Sequence, residues 1–370
     1  MHRQMALKPT SDRGTSGVLP HVGSAVPQDP ASLTPVGAMD EAGTRFLLTI
    51  PTDLPMRPIR AYAALGSAST AEARVELVMR ELERQGAFRR KRILVGAPTG
   101  GGHINPVALE LVERMARGDV ASVAVQFGDR PSMLSLHKVG EAGRLLDLLS
   151  TRIRDRIRAE HPNGGGPQVL LYGESLGAWA SRRMLDGAAD RAERATGAAV
   201  DPLQATGIDR VVWIGTPGFS RFRDDRLGPG GVQALSGIEQ LDSIDPIARR
   251  SARVWMLAHY DDYVHRADLS TIWRRPSWLP KDGSNPRGVG ASERWRPLLT
   301  FLDTIRGAAT SANQAQAGTF TNHGHDYRKA LPRLLREAYG FGDVTDAELA
   351  RITEQVRQSE VWILGQKWGA

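Results

Sequence analysis

Apolar residues recur along this chain in two alternating patterns, short continuous runs and longer stretches with helical spacing. Pro58-Ile59-Arg60-Ala61-Tyr62-Ala63-Ala64-Leu65 reads as a strand. The segment Ala71 to Gln85 then places Val75, Val78, Met79 and Leu82 on one helical face, with Ser69 or Thr70 as its cap. The rhythm repeats. The run Arg92–Gly96 leads through a glycine-rich loop into a helix around Val107–Ala116. Val120–Phe127 is followed by an amphipathic helix from about Glu141 to Glu160, which Gly164-Gly165-Gly166 ends. Gln168–Tyr172 is the next strand, and helical spacing resumes at Ala178. Two later strands are expected at Asp209–Gly215 and Arg253–His259, and a helix over Arg328–Tyr339. Apolar strands alternating with helices predict an α/β fold, a mostly parallel central sheet flanked by helices on both faces.

Three regions depart from that rhythm. Residues 1–42 are rich in Pro, Gly, Ser and Thr without apolar periodicity and read as a flexible N-terminal arm, leaving 43–370 as one α/β domain. Residues 216–250 and 268–318 read as loop and helix excursions over the carboxyl edge of the sheet, where insertions commonly shape pockets. The second excursion carries Trp273, Trp278 and Trp295, which either line such a pocket or pack the excursion onto the sheet.

Composition removes several classes of function. With 370 residues and 41% apolar content the chain can bury a large core. It has no cysteine, so disulfides, thiolate metal sites and a cysteine nucleophile are excluded. The formal charge of +7 invites a nucleic-acid reading, but the basic residues are interleaved with acids, as Arg152, Arg154, Arg156 and Arg158 are with Asp155 and Glu160. The run Arg89-Arg90-Lys91-Arg92 leads straight into a strand, and no aromatic-plus-basic motif accompanies it. No nucleic-acid partner is expected, and at most weak attraction to an anionic surface. No stretch approaches the roughly 18 apolar residues that span a bilayer, and the N-terminus lacks a signal-peptide core, so the expected location is cytoplasmic without integral membrane contact.

The chemistry concentrates at Gly173-Glu174-Ser175-Leu176-Gly177, between a strand and a helix. A G-x-S-x-G in that setting is a nucleophile elbow: the serine sits on a tight turn at the top of the sheet, and the helix N-terminus behind it favours developing negative charge. The plainer reading is a turn serine that caps the helix. A serine hydroxyl needs a base, usually a histidine oriented by a carboxylate, and on such sheets the chain order is Ser, then acid, then His. That order leaves His323 and His325 of the nine histidines, with His325 preferred because Gly324 relaxes the backbone beside it and a helix follows. Asp261 and Asp262 follow the strand ending at His259-Tyr260, and Asp262 is the favoured acid. Oxyanion donors are expected from Leu176, directly after the nucleophile, and from Thr99 or Gly100 in Ala97-Pro98-Thr99-Gly100-Gly101-Gly102-His103. That glycine run lacks the Lys-Ser/Thr ending of a phosphate loop. No metal spacing is evident and no cofactor is needed.

In sequence order, these pieces resemble an α/β-hydrolase catalytic-domain family common in actinobacteria, whose members often carry an N-terminal membrane-spanning region. The resemblance runs over about residues 58–330. It rests on Pro58-Ile59-Arg60-Ala61-Tyr62, Gly86-Ala87-Phe88, Ala97-Pro98-Thr99-Gly100-Gly101-Gly102 and Gly118-Asp119-Val120-Ala121-Ser122-Val123-Ala124. Further pieces are Gly173-Glu174-Ser175-Leu176-Gly177-Ala178, Arg274-Arg275-Pro276-Ser277-Trp278-Leu279 and His323-Gly324-His325-Asp326-Tyr327. The resemblance implies a serine hydrolase of the α/β-hydrolase fold, with Ser175 as nucleophile and the family's aspartate falling on Asp262. Departures are His103 where the family typically has Trp, Tyr263 where it has Pro after the aspartate, and Asn322 before the first histidine.

The expected activity is cleavage of a small-molecule or peptide carboxylic ester through an acyl-enzyme. An acyltransferase, thioesterase or peptide-modifying enzyme would use the same triad. A reading of another class is a binding protein on a hydrolase scaffold, since a fold does not fix a function.

Overall fold

Thr70 accepts a hydrogen bond from Ala73 N–H and Gly86 takes a left-handed φ of 75°, so the expected helix begins and ends at Ala71 and Gln85. This is the computed structural model of the chain; it describes residues 32–34, 39–129, 135–220, 222–286, 288–311 and 316–365. In chain order the elements are α1 (Glu41–Leu48), β1 (Ile59–Ala63), α2 (Ala71–Gln85), β2 (Arg92–Ala97), α3 (Pro106–Met115) and β3 (Val120–Val125). Then come α4 (Val139–Glu160), β4 (Gln168–Glu174), α5 (Leu176–Thr196), α6 (Pro202–Thr206) and β5 (Arg210–Ile214). The rest are β6 (Val232–Leu235), α7 (Pro246–Ser251), β7 (Val254–Leu257), α8 (Tyr263–Arg266), α9 (Leu299–Ser311), α10 (Leu331–Ala338) and α11 (Asp346–Gly365).

The strands form one sheet in the order β1-β3-β2-β4-β5-β7-β6, and every pair is parallel. Side chains on successive strand residues point to opposite faces, and the two cores follow that period of two. Leu94, Leu170, Tyr172, Val212, Ile214 and Trp255 pack toward α3, α10 and α11. Ile93, Val95, Leu171, Val211 and Trp213 pack toward α2, α4 and α5. Covering both faces is why the central strands read as unbroken apolar runs.

The excursion expected over 216–250 contains β6, which adds to the sheet edge beside β7. It is four residues long and mostly half-buried or exposed, so it carries no apolar run for a sequence reading to find. In the second excursion Trp278 is buried, stacked 4.5 Å from the Arg266 guanidinium, which also lies 5.1 Å from Tyr263. Trp295 donates from Nε1 to the Thr271 carbonyl at 2.8 Å, whereas Trp273 is 68% exposed. Two of the three tryptophans therefore pack the excursion down.

The arm expected over 1–42 lies mostly outside the described residues. Within it, Leu33 N–H donates to Glu81 at 3.0 Å, and Asp40 caps α1 through Gly43 N–H. Helix α1 is held by Arg60 of β1, whose buried guanidinium pairs with Glu113 at 2.7 Å and donates to the Phe46 carbonyl at 2.6 Å. Among the described residues no helix is long and apolar enough to cross a membrane.

Candidate active site

Four loops meet at the carboxyl edge of the sheet, following β2, β4, β5 and β7, where α/β sheets collect ligands and catalytic groups. Ser175 occupies the one-residue corner between β4 and α5 with φ 53° and ψ −118°. A non-glycine residue there is strained, and the strain is held by the structure around it. Its N–H donates to the Ile214 carbonyl at 2.9 Å, tying the corner to β5. Its side chain makes no capping bond to α5, and among the described residues Oγ has no hydrogen-bond partner. Gly177 is required here: a Cβ on it would lie 2.1 Å from the Ala97 carbonyl oxygen, so the first turn of α5 packs directly on the end of β2.

Asp262 follows β7 and is fully buried. Its Oδ1 accepts from Val264 N–H at 2.8 Å as the cap of α8. Its Oδ2 accepts twice, from His325 Nδ1 at 2.7 Å and from the Tyr327 hydroxyl at 2.6 Å. Burial alone would raise the Asp262 pKa, but the His325 charge and these donors hold it below the usual carboxylate range. Burial, the largest single influence, pulls His325 down, but the charge and hydrogen bond of Asp262 together with the charges of Glu174 and Asp326 outweigh it and lift the imidazole to about 9. The neighbouring Asp261 is only half-buried and packs against Gly288.

Of the two expected histidines, the structure brings His325 to the acid and leaves His323 exposed, bridged through its backbone to Asp326. Gly324, between them, has φ 59°. The loop is anchored from behind by Asp326, which accepts from Thr321 and Arg328, and by Arg328, which pairs with Glu360 of α11 at 2.7 Å. His325 and Ser175 each lie against the end of β5. Ser175 binds Ile214, and the next residue, Gly215, lies under the imidazole: a Cβ there would be 2.7 Å from His325 Cε1 and 3.0 Å from Tyr327 Cε2.

The loop after β2 is a closed turn in which Thr99 N–H donates to the His103 carbonyl at 3.0 Å and Gly102 N–H donates to Thr99 at 2.9 Å. The expectation that Thr99 offers its N–H to a substrate oxygen is therefore corrected: that donor is committed within the turn. Gly100 lies at the tip of the turn, with its carbonyl close against Gly128. Leu176, at the first position of α5, precedes the intrahelical ladder, so its N–H points out of the helix end beside Ser175.

A cleft of about 620 Å³ opens beside the histidine loop, lined by His259, Tyr260, Asp261, Phe320, Thr321 and His323. A larger cavity of about 840 Å³ borders Tyr263, Arg266 and Trp278; neither it nor the cleft is lined by Ser175 or His325, so cavity size does not locate the chemistry. Among the described residues no three His, Cys, Asp or Glu side chains converge as metal ligands. Sequence reasoning missed Tyr327 and His259. The first directly follows the His-Asp pair of the loop, and the second lies two residues past the end of β7, before the acid; only their spatial meeting marks them.

Gly215→Ala tests how tightly the imidazole is seated. The added methyl meets the ring, and the left-handed φ of 53° strains any side chain there. We expect kcat to fall about 100-fold, the cost of displacing a reacting group by about 1 Å. Ester turnover measured beside a thermal melt checks this, and near-wild-type turnover would show that the ring is not seated on residue 215.

A family model described as the alpha/beta-hydrolase family matches residues 59–352. No curated protein matches the chain. Among solved structures the chain is similar to an acetylxylan esterase at 14% identity, over 47% of this chain and 84% of that chain, with a TM-score of 0.29. It is similar to a cutinase-like protein from Cryptococcus sp. at 13% identity, over 48% and 80%, with a TM-score of 0.26. A Trichoderma reesei cutinase in complex with a phosphonate inhibitor is 12% identical over 65% and 84%, with a TM-score of 0.28.

Proposed function

We propose, from the premise that this chain belongs to the alpha/beta-hydrolase family, that it is a serine hydrolase cleaving a carboxylic ester through an acyl-enzyme. The observation that carries the reading is a strained, uncapped Ser175 at the same sheet edge as the hydrogen-bonded His325–Asp262 couple. In the proposed reaction Ser175 Oγ attacks the ester carbonyl while His325 Nε2 takes its proton. The carbonyl electrons move onto oxygen, which the Leu176 N–H and a second donor from the turn after β2 receive. Collapse of the tetrahedral intermediate breaks the bond to the leaving alkoxide, which takes the proton from His325. Water then repeats the sequence on the acyl-serine and regenerates the hydroxyl. His325 Nδ1–H stays on Asp262 throughout, which fixes the tautomer. Among the described residues Ser175 Oγ has no hydrogen-bond partner, and such bonds commonly tighten only when substrate is bound.

Labelling with a fluorophosphonate, with Ser175→Ala as control, tests the reading. Stoichiometric labelling that the substitution removes is the expected result. Absence of Ser175-dependent labelling in folded protein would favour the binding-protein reading. Adding a competing alcohol or amine to an acyl-ester assay then separates hydrolysis from acyl transfer by product.

A further inference from the structure

The buried phenol beside the acid has its one proton assigned by geometry alone. Tyr327 is 2% exposed, and its oxygen meets two groups: the His259 backbone N–H at 3.1 Å and Asp262 Oδ2 at 2.6 Å. A backbone N–H can only donate, so the phenol oxygen accepts there and sends its proton to the carboxylate. That carboxylate oxygen is the same one that holds His325 Nδ1. We propose that Tyr327 is a positioning residue for the proposed triad: by sharing Asp262 Oδ2 with the imidazole it fixes the carboxylate's orientation and weakens its hold on the imidazole proton.

The surroundings brace the phenol from each side. The His259 ring stacks on Tyr327 with centroids 4.1 Å apart and planes at 19°, and its Nδ1 bonds the Gly324 carbonyl at 3.2 Å. One histidine thus fixes both the phenol and the loop that carries His325. The His325 ring meets Tyr327 edge to face at 5.9 Å, and Gly215 closes the floor beneath both rings. The charged and titratable groups acting on the pair are few. Asp262 faces His325 directly, Glu174 acts from the end of β4, and Asp326 acts from the histidine's own loop. His265 of α8 feels Asp262 but spends its Nδ1 on the Thr216 carbonyl at 3.0 Å.

Each donor to a carboxylate disperses its charge and lowers its basicity. A carboxylate that loses the phenol pulls harder on the imidazolium, so His325 gives up its proton at higher pH. Tyr327→Phe keeps the ring and deletes only that donor. The expected result is an upward shift of the rising limb of kcat/KM against pH by on the order of half a unit. It is accompanied by a fall in kcat of about tenfold, with KM within about twofold. Site-specific 3-fluorotyrosine at 327, a stronger donor of nearly the same shape, shifts the limb the other way and covers the case in which the phenylalanine variant folds poorly. Because the proposal rests on the serine-hydrolase reading, the same titration is followed by NMR on the low-field His325 Nδ1 proton, which needs no turnover. Opposite shifts of that resonance in the two variants support the role even in a chain that no fluorophosphonate labels. Ser175-dependent labelling with neither limb nor resonance moved would overturn it.

Discussion

Ser175→Ala lowers kcat for any ester this chain turns over by roughly 10⁵- to 10⁶-fold, and adding His325→Ala to it costs almost nothing more. The second half of that expectation is the sharper one. Ser175 and His325 are proposed to act in a single proton-coupled step, so either loss removes the whole step. Independent contributions would multiply instead, and His325→Ala in the Ser175→Ala background would then cost a further large factor. Two features suit these substitutions to the test. Ser175 Oγ makes no hydrogen bond among the described residues, so its removal orphans nothing. The His325 side chain retains 16% exposure, so truncation leaves a cavity that solvent can reach. A residual rate of about 10³-fold over water should survive in the double variant, from the Leu176 N–H and substrate binding alone. Steady-state kcat for the three variants decides it. Multiplicative losses would mean that the two side chains do not act as a unit.

Much of the fold was legible because its signals are local. Thr70 and Gly86 punctuate α2, and the β2, β4 and β5 runs are apolar because both faces of the sheet are covered. Edge strand β6 was not legible: four residues, only the last of them buried, inside a Gly- and Pro-rich excursion show neither a run nor an alternation. At the site, chain order and loop position singled out Asp262 and His325, which the structure joins at 2.7 Å, and Ser175, which it sets at a strained corner. Thr99 misled because a glycine-rich stretch does not reveal which N–H its own turn consumes, here through His103. Tyr327 was silent for a different reason. Its partners, Asp262 and the His259 N–H, lie 65 and 68 residues away, and no spacing rule joins a phenol to a carboxylate at that separation.

Asp262→Asn should lower kcat about 10⁴-fold and move the pH profile in the direction opposite to Tyr327→Phe. The amide keeps the carboxylate's shape, but its NH₂ cannot accept from His325 Nδ1–H. The imidazole then turns to the tautomer that presents a proton, rather than a lone pair, toward Ser175. With the carboxylate gone, burial is the dominant influence on His325, and burial disfavours the charged ring. The rising limb should therefore fall from about 9 by more than about one pH unit. The same shift governs stability, and its sign follows from linkage. His325 is raised in the folded chain from an ordinary 6.5 to about 9. The pair's contribution is thus full below about 6.5 and is lost as pH rises through about 9. Activity requires the neutral imidazole and rises across that same window. Between those limits the native chain should become more active and less stable together, and Asp262→Asn should flatten the histidine's part of both trends. Urea unfolding and kcat/KM measured on both proteins from pH 6 to 10 give the comparison. A native stability that stays level across the window, or a limb that Asp262→Asn leaves in place, would mean that Asp262 does not set the protonation of His325.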